Sequence, residues 1–176
     1  MDRHGWTRLL GQGFMNLDEL LAREAIRDTM ARYTMAGDRL RVDDFAAVFT
    51  EDAVLASEGV EDSDAFRHEG RPAIRRWIAA WNNGGIGKSA PAFVRHHLST
   101  SLVELTSPQT AKARTYWVAY TNIGPDHCGQ YLDVFRKTAG SWLLAERKVR
   151  LDWRADNSLF STAIRDTGNP AQRQGV

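Results

Sequence analysis

FVRHHLSTSLVELTSPQTAKARTYWVAYTNIGPDHCGQYLDVFRKTAGSWLLAERKVRLDW, residues 93–153, is the stretch that decides the fold. It divides into four β-rich segments, about 94–106, 110–122, 129–138 and 141–153, set apart by Ser107-Pro108, Gly124-Pro125 and Ala139-Gly140. The last gap is short enough to be a hairpin turn. Upstream the periodic segments are mainly helices, and helices followed by a run of strands argue for an α+β domain. The expectation is a strongly curved, antiparallel or mixed sheet with N-terminal helices covering one face.

Working back from that stretch, Gly70-Arg71-Pro72 opens a helix with proline in its first turn, and Ile74, Trp77, Ile78 and Trp81 form its apolar stripe. Gly84-Gly85 closes it. Residues 57–69 are polar and acidic with no period and are expected to form a surface loop. Residues 53–56 read as a short strand. A short helix is expected from Asp44, its cap, with Phe45, Val48 and Phe49 on one face. The firmest helix begins after Asn16, whose side chain with Glu19 makes a variant of the capping box. Leu17, Leu21, Ala25, Ile26, Met30 and Tyr33 follow at three- and four-residue steps, and Gly37 supplies a positive-φ stop that leaves Asp38 just beyond the end. Residues 1–14 show no sustained period and are read as an extension. The domain is expected over 15–155 and a tail over 156–176.

The chain has 176 residues, enough for one core and one main site. Hydrophobic residues are 43% and charged residues 26%, ordinary globular usage that argues against disordered and fibrous classes. Net charge is +1 with the signs interspersed, so no long-range field draws a polyanion and nucleic acid is not expected as a partner. Cys128 is the single cysteine, which agrees with a reducing compartment. No apolar run approaches the roughly 20 residues that span a bilayer. A soluble protein of the cytoplasm, without a membrane partner, is the expectation.

Several strings then occur in a telling order: REAIRDTMARYTMAGDRLRVDDFAAVFTEDAVL at 23–55, Gly70-Arg-Pro-Ala-Ile74, Arg95-His-His-Leu98, and GSWLLAERKV at 140–149. The set resembles SnoaL-like proteins of the nuclear transport factor 2 superfamily over about residues 15–153. The resemblance implies a cone-shaped, cystatin-like α+β barrel around one pocket. Within that superfamily the chain looks most like scytalone dehydratases, bile-acid dehydratases and hexachlorocyclohexane dehydrochlorinases, which work through a buried Asp and His. Those positions fall here on Asp38, within Ala36-Gly-Asp-Arg39, and on His97; Tyr33 is similar to the tyrosine of the bile-acid dehydratases. No counterpart is found for the second tyrosine or second histidine of the scytalone dehydratases, so their substrate is not carried over.

The resemblance thus implies a lyase or isomerase needing no cofactor, acting on a hydrophobic cyclic small molecule. The same fold hosts non-catalytic binding proteins and small subunits of ring-hydroxylating dioxygenases, and homodimers or homotrimers formed through the open sheet face are common in it. Fold alone does not choose among these. Chemically, an Asp beside a His fixes the imidazole tautomer and stabilises its charged form, so the ring can take a proton from carbon near neutral pH while Tyr33 donates to a developing oxygen.

The sequence also carries plainer readings. Asp38 suits a solvated turn. His96 and His97 point to opposite faces of a strand, so only one can face the pocket. Val103 and Leu105 share parity with His97 and favour it, Leu98 and Leu102 lie on the other parity, and a β-bulge would reverse the count. Diverging rings also argue against a metal site on this pair, and no metal-ligand spacing exists elsewhere. His68 in the polar loop and His127 in a turn beside Cys128 read as solvated, although His127 could reach the cone mouth. Tyr116 and Tyr131 are expected at the pocket wall because each sits mid-strand with a polar tip, and Trp77 and Phe49 are expected to line it. Arg147 either buries its charge against a carboxylate, meets an anionic ligand or lies at the surface, and Arg75-Arg76 is read as the solvated back of its helix.

Overall fold

A computed structural model of the chain describes residues 16–58, 65–81 and 93–160. The expected extension over 1–14, the Gly84-Gly85 helix stop and the tail beyond residue 160 lie outside the described residues. Among those described, the order is α1 (Leu17–Gly37), α2 (Val42–Ala47), β1 (Phe49–Glu58), β2 (Phe66–Glu69), α3 (Arg71–Ala80), β3 (Arg95–Ser107), β4 (Thr110–Thr121), β5 (Gly124–Thr138) and β6 (Ser141–Arg154). No helix among them is long and apolar enough to cross a membrane.

The first helix forms where its cap predicts: the Asn16 side chain accepts from the Glu19 N–H at 2.9 Å. Its buried stripe is Ile26, Met30, Tyr33 and Ala36, whereas Leu17 and Leu21 of the expected stripe are exposed. Gly37 does not end the helix through positive φ. It is helical, and a Cβ there would stand 3.3 Å from Phe45 Cε2, so its smallness serves the approach of α2. The positive-φ residue is Leu40, at 51°. Asp44 is likewise not a cap. Arg41 takes that place, with Asp44 paired to it at 3.4 Å from the first turn of α2, and Phe49 already belongs to β1.

Six strands make one curved, unclosed sheet in the order β2-β1-β6-β5-β4-β3. Neighbours are antiparallel except β1 and β6, which run parallel because the helices and the β3–β5 meander intervene. Part of the expected surface loop is β2, an edge strand pairing Phe66 with Ser57 and Glu69 with Val54. An edge strand needs only one partner and tolerates charge, which hides it from a search for hydrophobic period. On β4 alternate residues Ala111, Ala113, Thr115, Trp117 and Ala119 turn inward, while Lys112, Arg114 and Tyr116 turn out. Small inward residues make room for α1, whose Met30 sulfur accepts from Thr115 and Ser101.

Arg147 on β6 is wholly buried. Its Nε and Nη2 donate to the two oxygens of Asp133 on β5 at 2.8 and 2.6 Å, and its guanidinium carbon lies 4.0 Å from the Tyr33 ring centre and 4.1 Å from that of Tyr131. Of the readings open for Arg147, burial against a carboxylate is the one realised. Desolvation works to lower the Arg147 pKa, but the adjacent Asp133 charge and the paired bonds outweigh it, so the guanidinium is held above its ordinary value. Its Nη1 has no oxygen partner, and the electron-rich ring faces take that role.

Two stability outcomes follow. Replacing Asp133 by Ala leaves a buried cation unpaired and is expected to lower unfolding free energy by about 3–5 kcal/mol in urea denaturation. At Gly129 a Cβ would stand 2.0 Å from the Arg150 carbonyl oxygen, so Gly129→Ala forces β5 and β6 apart. It should cost about 1–3 kcal/mol in the same assay, as overpacked sites do.

Candidate functional site

Asp38 sits at the C-cap of α1, its N–H still bonded to Thr34 O at 2.9 Å, and its side chain reaches across to the start of β3. There it meets His96, not His97. Asp38 Oδ1 is 2.6 Å from His96 Nδ1, and Oδ2 accepts the His96 backbone N–H at 3.0 Å. A carboxylate only accepts, so Nδ1 carries the proton of this bond and Nε2 is left outside the clasp. The clasp is sheltered, with 7% of the Asp38 side chain and 25% of the His96 side chain exposed.

The expected inward direction of His97 is corrected by a bulge. Leu98 pairs with Trp117 and Ser101 with Thr115, so three steps on β3 match two on β4 and one residue is extra. Counting back from inward Val103 and Ser101, the parity flips across Ser99-Thr100, which turns Leu98 and His96 in. His97 lies on the outer face, edge-on to Tyr120 at 5.1 Å.

Around the clasp runs a continuous series of rings. Trp117 lies 5.7 Å from His96, 5.4 Å from His127 and stacked 5.4 Å from Tyr131. Tyr131 is buried on the inner side; Tyr116 is 48% exposed on the outer face, because β4 keeps strict alternation and Trp117 takes the inward place. Tyr33 and Phe49 are buried and meet edge-on at 5.9 Å, and Trp77 packs on Phe45, Phe66, His68 and Trp81. His68, expected to be solvated, stacks on Phe66 at 5.4 Å. Arg75 pairs with Asp43 at 2.9 Å on the exposed side of α3.

His127 is not in a turn but in β5, its ring 6.0 Å from that of His96 and 4.8 Å from Phe160. Its Nδ1 is 2.8 Å from Asp126 Oδ1. Asp126 is fully buried and also accepts from Thr121 Oγ1, Ser158 Oγ and the Leu159 N–H at 3.1, 2.5 and 3.0 Å. Residues 156–160, read from sequence as the start of a tail, are thereby tied against the sheet end. Sequence parity leaves His96 open as the alternative to His97; the reading passes over Trp117, Asp126 and Phe160, of which Trp117 has a usable signal in the Lys112 and Arg114 that mark the outward parity of its strand.

Burial is the largest influence on His127 and lowers its pKa, with His96 and Arg154 acting the same way against Asp126. Near neutral pH His127 is therefore an uncharged ring. Burial raises Tyr33 and raises Tyr131 further, which keeps both phenols protonated as donors. It also raises the Cys128 thiol, so a thiolate nucleophile is not favoured there. A surface groove between α1, α2 and the β5–β6 turn is lined by Asp28, Arg32, Arg41 and Asp44 and contains none of the imidazoles.

The SnoaL-like domain family matches residues 18–148. No curated protein matches the sequence significantly. Among solved structures, a candidate scytalone dehydratase from Novosphingobium aromaticivorans is 24% identical, covers 79% of this chain and 89% of its own, and superposes with a TM-score of 0.65. The β subunit of a candidate aromatic-ring-hydroxylating dioxygenase from the same organism is 20% identical over 77% of this chain and 92% of its own, with a TM-score of 0.64. The hexachlorocyclohexane dehydrochlorinase LinA-type3 from Novosphingobium barchaimii is 16% identical over 79% and 92%, with a TM-score of 0.63. Identities this low speak for fold alone. The family match, by contrast, runs from the first helix into the last strand, and this chain belongs to the SnoaL-like domain family.

Proposed function

We propose that this protein is a lyase or isomerase of dehydratase type that needs no cofactor and moves a proton on a hydrophobic cyclic small molecule through Asp38 and His96. The observation that carries this reading is the two-point clasp, in which one carboxylate fixes both the ring and the backbone of His96 among aromatic side chains. A histidine so oriented contributes about 10²–10⁴-fold in rate as a general acid or base. Tyr33, kept protonated by burial, is the proposed donor to a developing oxygen. Tyr131, Trp77 and Phe49 belong to the aromatic surround, and no step here calls for a metal. The proposed class of reaction is the one named for LinA-type3 and the candidate scytalone dehydratase, which share this fold, and their substrates are not carried over.

A second reading draws on the likeness to a dioxygenase β subunit: the chain serves as the small subunit of such an assembly, or as a binding protein without turnover. It predicts co-purification with a larger iron-containing chain. The first reading predicts a homodimer or homotrimer joined through the outer sheet face, where Tyr116, Tyr120 and Trp153 are exposed, in the cytoplasm.

A panel of cyclic hydroxyketones and halogenated cycloalkanes, followed by the absorbance of unsaturated products and by mass spectrometry, separates these. Wild-type protein should convert at least one compound, and Asp38→Asn and His96→Gln should each lower kcat/KM by about 10²–10⁴-fold. His97→Gln, on the outer face, should stay within about twofold. Full turnover by Asp38→Asn, or no conversion of any compound by wild type, defeats the proposal.

A further inference from the structure

Two polar groups on the wall beside His96 have no use in the proton transfer just described. One is the indole N–H of Trp117, a residue only 4% exposed, whose Nε1 is buried without an acceptor. Leaving such a donor unpaired costs about 1–3 kcal/mol. The other is His127 Nε2. Because Nδ1 gives its proton to Asp126, the neutral ring presents a lone pair at Nε2. The Trp117 and His127 rings touch at 5.4 Å and 77°, and His127 faces His96 at 6.0 Å.

A donor without an acceptor beside an acceptor without a donor complements one common group, the hydroxyl, which accepts through its oxygen and donates through its hydrogen. We infer that Trp117 and His127 form a hydroxyl-recognition subsite, and that the ligand of this wall is a phenol or alcohol whose O–H is held between them. Ethers, halides and hydrocarbons of the same shape fill the space but leave the His127 lone pair unpaired. The inference rests on reading this wall as the small-molecule site, and it narrows the ligand class to hydroxylated rings.

The local structure explains why the acceptor is reliable. Asp126 is held by Thr121, Ser158 and Leu159 as well as by His127, so it cannot turn away and release the tautomer. The charged and titratable groups acting on His127 are Asp126 on its own strand, His96 on β3 and Arg154 on β6. Burial, the largest influence, keeps the ring uncharged until the pH falls below the ordinary histidine range. Below it Nε2 gains a proton, becomes a donor and no longer accepts from the ligand.

The probes are phenol, anisole and chlorobenzene, titrated into the full chain while the indole N–H resonances are followed by NMR. The Trp117 signal is assigned through Trp117→Phe. Phenol should shift that signal and bind about tenfold more tightly than anisole or chlorobenzene, as loss of one buried hydrogen bond implies. In His127→Phe, which keeps a ring of similar size, phenol should fall to the affinity of anisole while anisole is unchanged. The preference for phenol should also fade as pH is lowered through the His127 midpoint. Equal affinities in wild type, a phenol preference surviving in His127→Phe, or no shift of the Trp117 signal by any probe overturns the subsite. None of these readouts needs turnover, so failure here is distinct from failure of the Asp38–His96 reading, which is judged by conversion in Asp38→Asn.

Discussion

The buried charge of Arg147 is the constraint on which the rest is arranged. A guanidinium with no access to water must have a carboxylate at bonding distance and polarisable surfaces above and below, and here these come from three elements: Asp133 and Tyr131 on β5, Arg147 itself on β6, and Tyr33 on α1. A slip of α1 by one residue would remove Tyr33 from the ring face, and a slip between β5 and β6 would open the ion pair. Register is thus fixed where hydrophobic packing alone would leave it loose. Asp38 follows Tyr33 by little more than one helical turn, so the arginine stack also decides where the end of α1 delivers its carboxylate.

Upon that frame the inner wall around His96 and His127 shows a repeated device. Each of the two inward histidines has its Nδ1 committed to a carboxylate, the distant Asp38 at the helix end for His96 and the preceding residue Asp126 for His127. The two carboxylates differ in how they are shared. Asp38 gives both oxygens to His96, while Asp126 divides its charge among four donors. One imidazole is therefore paired with a dedicated anion, and the other with an anion already occupied in anchoring residues 155–160. Equivalent side chains are thus given different electrostatic surroundings by the company their carboxylates keep.

Much of this was legible in the sequence where local chemistry and tertiary packing agree. The Asn16 cap, the Ile26–Met30–Tyr33 stripe, the proline-opened α3 and the Ala139-Gly140 hairpin each obey short-range rules, and all appear close to where those rules put them. The Asp38 end of the clasp stands out in the sequence, while pleat parity leaves its partner between His96 and His97 and favours the wrong one. A bulge of one residue at Ser99-Thr100 carries no compositional mark, yet it reverses every side-chain direction before it. Gly37 looked like a left-handed stop because glycine serves that purpose so often; the real reason, the approach of Phe45, is a contact between different elements. Asp126 and Ser158 lie 32 residues apart, and no local pattern announces that they meet.

The tandem His96-His97 at the bulged start of an edge strand has a consequence for the tolerance of this site to change. Edge strands hold register on one side only and are where slippage is easiest. If the bulge were straightened and the strand rotated by one position, His97 would come inward as His96 went out, and an imidazole would still stand on the inner face. Two like residues in succession make the chemical identity of that position indifferent to the phase of the pleat. A strand so written can gain or lose a bulge over its history without losing its inward imidazole, a form of redundancy placed where the backbone is least restrained.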